Sequence, residues 1–470
     1  MSAKSPSGVT RPTLRREIGF PQLIAYGLVF IGPAAAVGVH GTLDAKSGGV
    51  VPMVYLVAMG AMALTAASYA AMSRVVPSAG SVFAYARAGI GRRTGHMGGW
   101  MVLLDYLLVP SVAYLFCGIA LHSAFPAIPV WGYVAAALAI TTVLNLAGVR
   151  VTARVSMVVV VIEVVVLLVV LAGAVAALIT HGPERGWLDP FTGGDAGLHP
   201  QLVLAAVSVA VLSFLGFDAV ATFAEETKGS TRTVARATLV CLVVAGVLFM
   251  AQTYLGAVLS PYTTEELRAD PSLQGDAFYV MVDAHIGPAM HTLLALVKAL
   301  GAMFSALVGQ AAASRILMAM GREGSLPSAL ARISPRTGAP LVATMVAAAG
   351  NVAVSLWASR RDDGLDVVVS IVDVGALVGF TLVHLSVIGF FLVRRRGEDR
   401  SLLRHGFIPV LGAAVLVLVL INTSGLALVI GVVWALIGAA LLLLRGPGSD
   451  ADPLAEAESA SAREGSTGRG

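Results

Sequence analysis

Charge is scarce in this chain. Asp, Glu, Lys and Arg make up 12% of its 470 residues, where a soluble protein carries about a quarter. That deficit excludes an ordinary soluble globular fold. Cysteine is nearly missing as well: Cys117 and Cys241 fall inside expected membrane spans, and they support neither a disulfide framework nor a metal site. No HExxH, GxSxG, CxxC or GxxxxGK[ST] pattern occurs and the histidines are scattered, so no catalytic set, metal, cofactor or ATP site is expected. Basic residues at Arg11, Arg15 and Arg16 lead into a full-length apolar run without a small-residue cleavage site, so no cleavable signal peptide is expected.

What is present is hydrophobic sequence, 57% of the chain, gathered into blocks near the roughly 20 residues that cross a bilayer. Runs such as "VSMVVVVIEVVVLLVVLAGAVAAL" are apolar on every side, unlike the alternation of a membrane β-barrel. The chain reads as an all-α polytopic membrane protein. Twelve spans are expected, at 18–42, 50–73, 96–124, 130–149, 154–180, 201–225, 236–259, 288–320, 340–358, 367–393, 406–421 and 425–444. Residues 1–13 and 446–470 read as disordered tails. The net charge of +4 does not point to nucleic acid, because the cations flank the spans. Placing both termini in the cytoplasm puts most Lys and Arg inside and leaves only Lys46, Arg185, Arg268, Arg360 and Arg361 outside.

Two spans carry breaks. Gly32-Pro33 interrupts the first, where proline removes a backbone donor and clashes with the preceding turn. In the sixth, Gly216 stands beside Asp218 within an apolar run. Irregular backbone survives in lipid only where it lines a cavity or packs inside protein. Interrupted helices at corresponding positions of two inverted halves point to a transport site near the midplane. A simple kink is the plainer reading of either break alone.

Several stretches together resemble the amino acid–polyamine–organocation superfamily of permeases, and within it the putrescine-importer-like branch. They are "GPAAAVGVHG", "PSAGSVFAYARAGIG", "GGWMVLLDYLLVP", "SFLGFDAVATFAEETKGSTRTVARA", "ASRILMAMGREGSLP" and "GALVGFTLVHLSV", in that order along the chain. The resemblance implies a LeuT-type fold with two inverted repeats of five spans, 14–180 and 181–393, followed by peripheral spans in 394–445. It implies alternating access, with substrate held between broken spans one and six and coupling to a proton or cation. Ile31, Gly32, Pro33, Ala34, Tyr106 and Phe217 then fall at substrate-binding positions.

Ionisable groups inside spans are functional candidates, because burying them is costly. Asp218 matches the acidic position of the family's "GF[ED]" motif, as a substrate or proton contact or as an anchor for unwound backbone. Asp105 near mid-depth of span three is a substrate contact or a buried anchor, and Tyr106, Pro110 and Tyr114 share a face that could wall a cavity. Asp373 in span ten could supply a further carboxylate, whereas His384 on the same face reads as a satisfied surface group. Glu225 and Glu226, followed by Lys228, Arg232 and Arg236, read as a cytoplasmic gate or surface ion pairs. Glu163 in span five and Lys298 in span eight both lie near mid-depth at about 1.5 Å per residue. They either pair in place of a bound sodium ion or face separate partners. Lys298, Gly301, Ala302 and Ser305 form a small-residue face that admits another helix closely.

A polyamine offers cationic ends and no carboxylate, so its site needs anions or aromatic faces. Asp218, Asp105 and Asp373 meet that need. One anion that the branch places after the first break is missing, since Gly38 stands there. The expected function is import of a small organic amine or an amino acid across the cytoplasmic membrane by proton symport. A neutral or cationic amino acid permease or exchanger is the alternative, and a channel or sensor the reading from another class. Monomer and homodimer both stay open. On this reading Asp218→Asn nearly abolishes uptake while membrane insertion stays normal, which radiolabelled uptake beside quantitative immunoblotting checks.

Overall fold

The computed structural model describes residues 19–76, 81–146, 152–217, 231–322, 326–334, 340–394 and 401–445. Asp218, Glu225 and Glu226 lie outside the described residues. Every regular element among the described residues is a helix. The first expected span is two helices, α1 (Phe20–Ile31) and α2 (Ala35–Ser47). Then follow α3 (Val51–Val75), the short α4 (Ser81–Gly89), α5 (Arg92–Ala124), α6 (Val130–Leu146) and α7 (Thr152–His181). After α8 (Asp189–Thr192) comes α9 (Pro200–Phe214), which ends at the second break, and then α10 (Thr231–Val258). Two short helices, α11 (Thr264–Ala269) and α12 (Ala277–His285), precede α13 (Pro288–Arg322). The last four are α14 (Leu341–Ala358), α15 (Gly364–Ile388), α16 (Ile408–Ile421) and α17 (Gly425–Arg445).

Among the described residues nine helices are long and apolar enough to cross a membrane, and α6 and α9 are shorter apolar ones. Lipid-facing sides are visible in the exposure pattern. On α7, Val158, Val161, Ile162, Val165 and Leu168 are exposed while Glu163 is buried, so the uniformly apolar helix still presents one face inward. Proline in the first turn of α3, α9 and α16 removes a donor that has no intrahelical partner anyway.

Helix α5 is the hub, touching α4, α6, α13, α14, α15 and α17. Glycine permits the tightest of these approaches. A Cβ at Gly375 of α15 would lie 2.8 Å from the Met101 carbonyl oxygen and 3.0 Å from the Asp105 nitrogen of α5. Beside this contact on the hub Trp100 and Trp434 stack at 4.5 Å. Each indole N–H donates to the other's carbonyl, at 2.7 and 2.8 Å, pinning α17 to α5.

The observed ends differ from the expected ones by a few residues, and hydropathy did not announce α4, α8, α11 and α12. These elements are short and shaped by turns: α11 starts in a capping box between Thr263 and Glu266. His384 is a correction. It is fully buried, bonded to Ser68 at 2.8 Å and Thr65 at 3.2 Å on α3, with Gly412 of α16 packed on its ring. Two members of the expected cavity wall on α5, Pro110 and Tyr114, pack against other helices instead. Tyr114 bonds Thr141 of α6 at 2.6 Å, Pro110 meets Gly309 of α13, and Tyr106 joins an apolar cluster with residues of α13 and α14.

Gly89 and Gly389 let α4 touch the end of α15 backbone to backbone, since a Cβ at Gly89 would collide with the Ser386 carbonyl. Gly89→Ala is expected to cost about 1–3 kcal/mol through forced backbone shifts. Gly60→Ala, where a Cβ meets nothing within 4 Å, is expected to be neutral or slightly stabilising, and thermal unfolding in detergent separates the two.

Candidate functional site

The first break follows from three residues. Gly32 takes φ +74°, a left-handed conformation that glycine adopts without Cβ strain. Pro33 has no N–H to offer, and α2 restarts once the Ala35 N–H has bonded the Gly32 carbonyl at 2.9 Å. A backbone carbonyl freed here is met by a side chain. Gln252 of α10 donates to the Pro33 carbonyl at 2.9 Å. The buried Glu163 carboxylate of α7 lies within electrostatic reach of the Ala34 backbone. Ile31, Pro33 and Ala34 are buried.

Glu163 and Lys298 are each only 4% exposed and lie within electrostatic reach of one another. Gly301, one turn beyond Lys298, makes room for the acid: a Cβ there would lie 2.8 Å from Glu163 Oε2. Lys298 Nζ stands 5.1 Å from the centre of the Phe116 ring, a cation–π contact. The same ring covers Gly38, where a Cβ would come within 2.7 Å of it. A side chain at position 38 is therefore incompatible with Phe116 where it stands. Ser305 is half-buried on the same helix as Lys298.

At the second break α9 ends on Phe214 and Gly216 takes φ +106°. Phe217 is fully buried, its ring 5.8 Å from Tyr69 of α3 and 5.5 Å from Phe380 of α15. It anchors the turn into an aromatic cluster.

Asp105 on α5 and Asp373 on α15 come together across the Gly375 contact. Asp373 is fully buried, neither of its carboxylate oxygens has a hydrogen-bond partner among the described residues, and Asp105 lies within its electrostatic reach. Asp105 is 9% exposed. Buried polar groups are nearly always hydrogen-bonded, so the exception at Asp373 asks for an explanation. An ionised carboxylate in that position needs a cation beside it. Lys46 also acts on Asp373 electrostatically, but it already pairs with Asp366 at 2.5 Å.

The face bearing α11 and α12 is clamped onto α2. Asp44, fully buried, receives Arg185 at 2.7 Å and the Thr264 hydroxyl at 2.7 Å. Arg268 donates to the Ala45 carbonyl at 3.2 Å, and Gln274 backbone crosses directly over Gly41. The few basic residues assigned to this face are thus engaged: Arg185, Lys46 and Arg268 on α2 and its partners, Arg361 with Asp363 at 2.8 Å, and Arg360 on the Leu356 carbonyl. Sequence reasoning missed Gln252, Phe116 and the Asp44 clamp. Gln252 carried the one available signal, an amide in an otherwise apolar span. Among the described residues no group of three metal-ligating side chains gathers.

Broken helix, buried acids and lipid-facing exterior define a multi-pass membrane protein, and its relatives are transporters. The chain belongs to the amino acid permease family, whose profile, described as "Amino acid permease", matches residues 22–451. It is 30% identical over 445 residues to the "Low-affinity putrescine importer PlaP" of Escherichia coli, covering 93% of this chain and 95% of that one. It is 24% identical to the "Branched-chain amino acid permease BcaP" of Bacillus subtilis, covering 92% and 93%. In fold it matches the crystal structure of the Eremococcus coleocola manganese transporter, with TM-score 0.55, 14% identity and coverage of 92% and 97%.

The two ion pairs on the clamped face separate by burial. Asp44→Ala strands the largely buried Arg185 and is expected to cost about 3–5 kcal/mol. Lys46→Ala breaks a pair whose side chains are 30% and 26% exposed, and is expected to cost about 1 kcal/mol or less. Melting midpoints of the purified variants check the ranking.

Proposed function

We propose that this protein is a secondary active transporter that imports a small cationic amine across the cytoplasmic membrane by alternating access, coupled to a proton. The observation that carries this reading is Asp373, buried without a hydrogen-bond partner among the described residues and within electrostatic reach of Asp105. A cargo ammonium supplies the cation that such a pair requires. The likeness to a putrescine importer supports the same choice. Twelve spans with cytoplasmic termini, arranged as two five-span inverted repeats over 14–180 and 181–393 and followed by spans in 394–445, complete the architecture. Ile31 to Ala34, Tyr106, Phe217 and Asp218 belong to the cargo path, with Glu225 and Glu226 at its cytoplasmic mouth. Glu163 and Lys298, with Ser305 near them, stand in for a bound sodium ion, so transport does not require sodium.

Uptake into proteoliposomes tests this. Radiolabelled putrescine is expected to accumulate when the outside is acidified, equally with and without sodium. Asp373→Asn is expected to lower uptake by about tenfold or more, a loss of at least about 1.4 kcal/mol, with unchanged protein incorporation. Sodium-dependent uptake, or accumulation of leucine or arginine with no diamine uptake, rejects the reading. The second outcome is the one the branched-chain amino acid permease relative favours.

A further inference from the structure

Gln252 of α10 is fully buried and reaches the first break. Its Nε2 donates to two carbonyls, Pro33 at 2.9 Å and Leu248 at 3.0 Å. Two carbonyl oxygens fix which end of the amide faces them, because an amide oxygen there would be repelled by both. Oε1 hangs on the same carbon as Nε2, so it too lies at the break, and it has no hydrogen-bond partner among the described residues. The nearby chain offers it no donor. Pro33 gives Gln252 a carbonyl but has no N–H to return. α10 carries no Asp, Glu, Lys or Arg from Ala237 to Val258, and its interior N–H groups are taken up by the helix itself. A buried acceptor left unmet is costly and calls for an explanation. The setting favours a cationic donor, since α1 ends on Ile31 at this break and the carboxy end of a helix is the negative end of its dipole.

We propose that Gln252 is a second cargo anchor, its Oε1 accepting an N–H from the far end of a diamine whose near ammonium sits at Asp373. The inference rests on the amine reading above and assigns the other end of that cargo. The Lys46–Asp366 bond ties the outer end of α2 to α15 and gives a common origin for depth. Asp373 lies about 10 Å further in along α15, and Pro33 about 20 Å further in along α2, at about 1.5 Å per residue. Acid and amide are thus offset by about 10 Å in depth, a gap that a short diamine fills with a hydrogen bond at each end. A monoamine fills only one of the two places, so Gln252 is a specificity-determining residue.

The test compares putrescine with butylamine, which has the same four-carbon chain and a single amine, by equilibrium binding to the purified full-length protein. Wild type is expected to bind putrescine at least about tenfold more tightly, the scale of one hydrogen bond to a charged group. Gln252→Met, of similar length and without the acceptor, is expected to bring the two affinities within about threefold of each other, chiefly by weakening putrescine. Gln252→Glu keeps an oxygen in that place and is expected to hold or raise the preference. A folded Gln252→Met protein with the wild-type ratio overturns the proposal and leaves the amine reading standing; that is also the result if a water molecule meets Oε1. A wild-type ratio near one does the same. Binding of neither ligand by wild type overturns both. Should Gln252→Met fail to fold, Gln252→Glu decides on the same ratio: a held or raised preference supports the anchor, and a lowered one overturns it.

Discussion

The interruption at Gly32-Pro33-Ala34 is the constraint on which the rest of the centre depends. Inside a bilayer a helix can break only where other groups take up its freed backbone polar atoms. Gln252 takes the Pro33 carbonyl, and the buried Glu163 lies within electrostatic reach of the Ala34 backbone. Recruiting an acid to the membrane core then calls for a cation, and Lys298 is close by. That helix can approach because Gly301 leaves room for the carboxylate. Phe116 lies under the ammonium and leaves no space at Gly38. Around one break thus gather five residues from four other helices.

Buried charge in this molecule follows a simple division. Where the protein is holding itself together, charges are matched: Asp44 with Arg185 in the interior, Lys46 with Asp366 nearer the surface. Asp373 departs from that rule, as both of its oxygens lack a hydrogen-bond partner among the described residues. Conflict between local and global preference concentrates at functional sites. An unmatched acid at the crossing of α5 and α15 is therefore the feature that folding alone does not explain.

Much of the fold was legible because its signals are local. Long apolar runs, Gly32-Pro33 and Gly216 are visible without neighbours; α1 stops and α2 restarts around Gly32-Pro33, and α9 stops just before Gly216. Glu163, Lys298, Asp105 and Asp373 stood out because charge is costly in apolar sequence. Partners were harder to read. His384 looked like a surface group near a helix end, yet Ser68, Thr65 and Gly412 enclose it. Tyr114 shares helical spacing with Tyr106, but its hydroxyl turns to Thr141. Periodicity names a face and is silent on what covers it, above all in a membrane, where both lipid and neighbouring helices are apolar.

By itself the sequence determined the class of molecule, the places where helices must break and the small set of acids and bases that the core must accommodate. These follow from hydropathy, from the missing N–H of proline and from the cost of burying charge, each a property of one residue and its neighbours in the chain. Tertiary structure decided which charges cancel. That Asp44 meets Arg185 while Asp373 has no hydrogen-bond partner among the described residues depends on which helices meet, and contacts between residues far apart in sequence leave no trace in either segment alone.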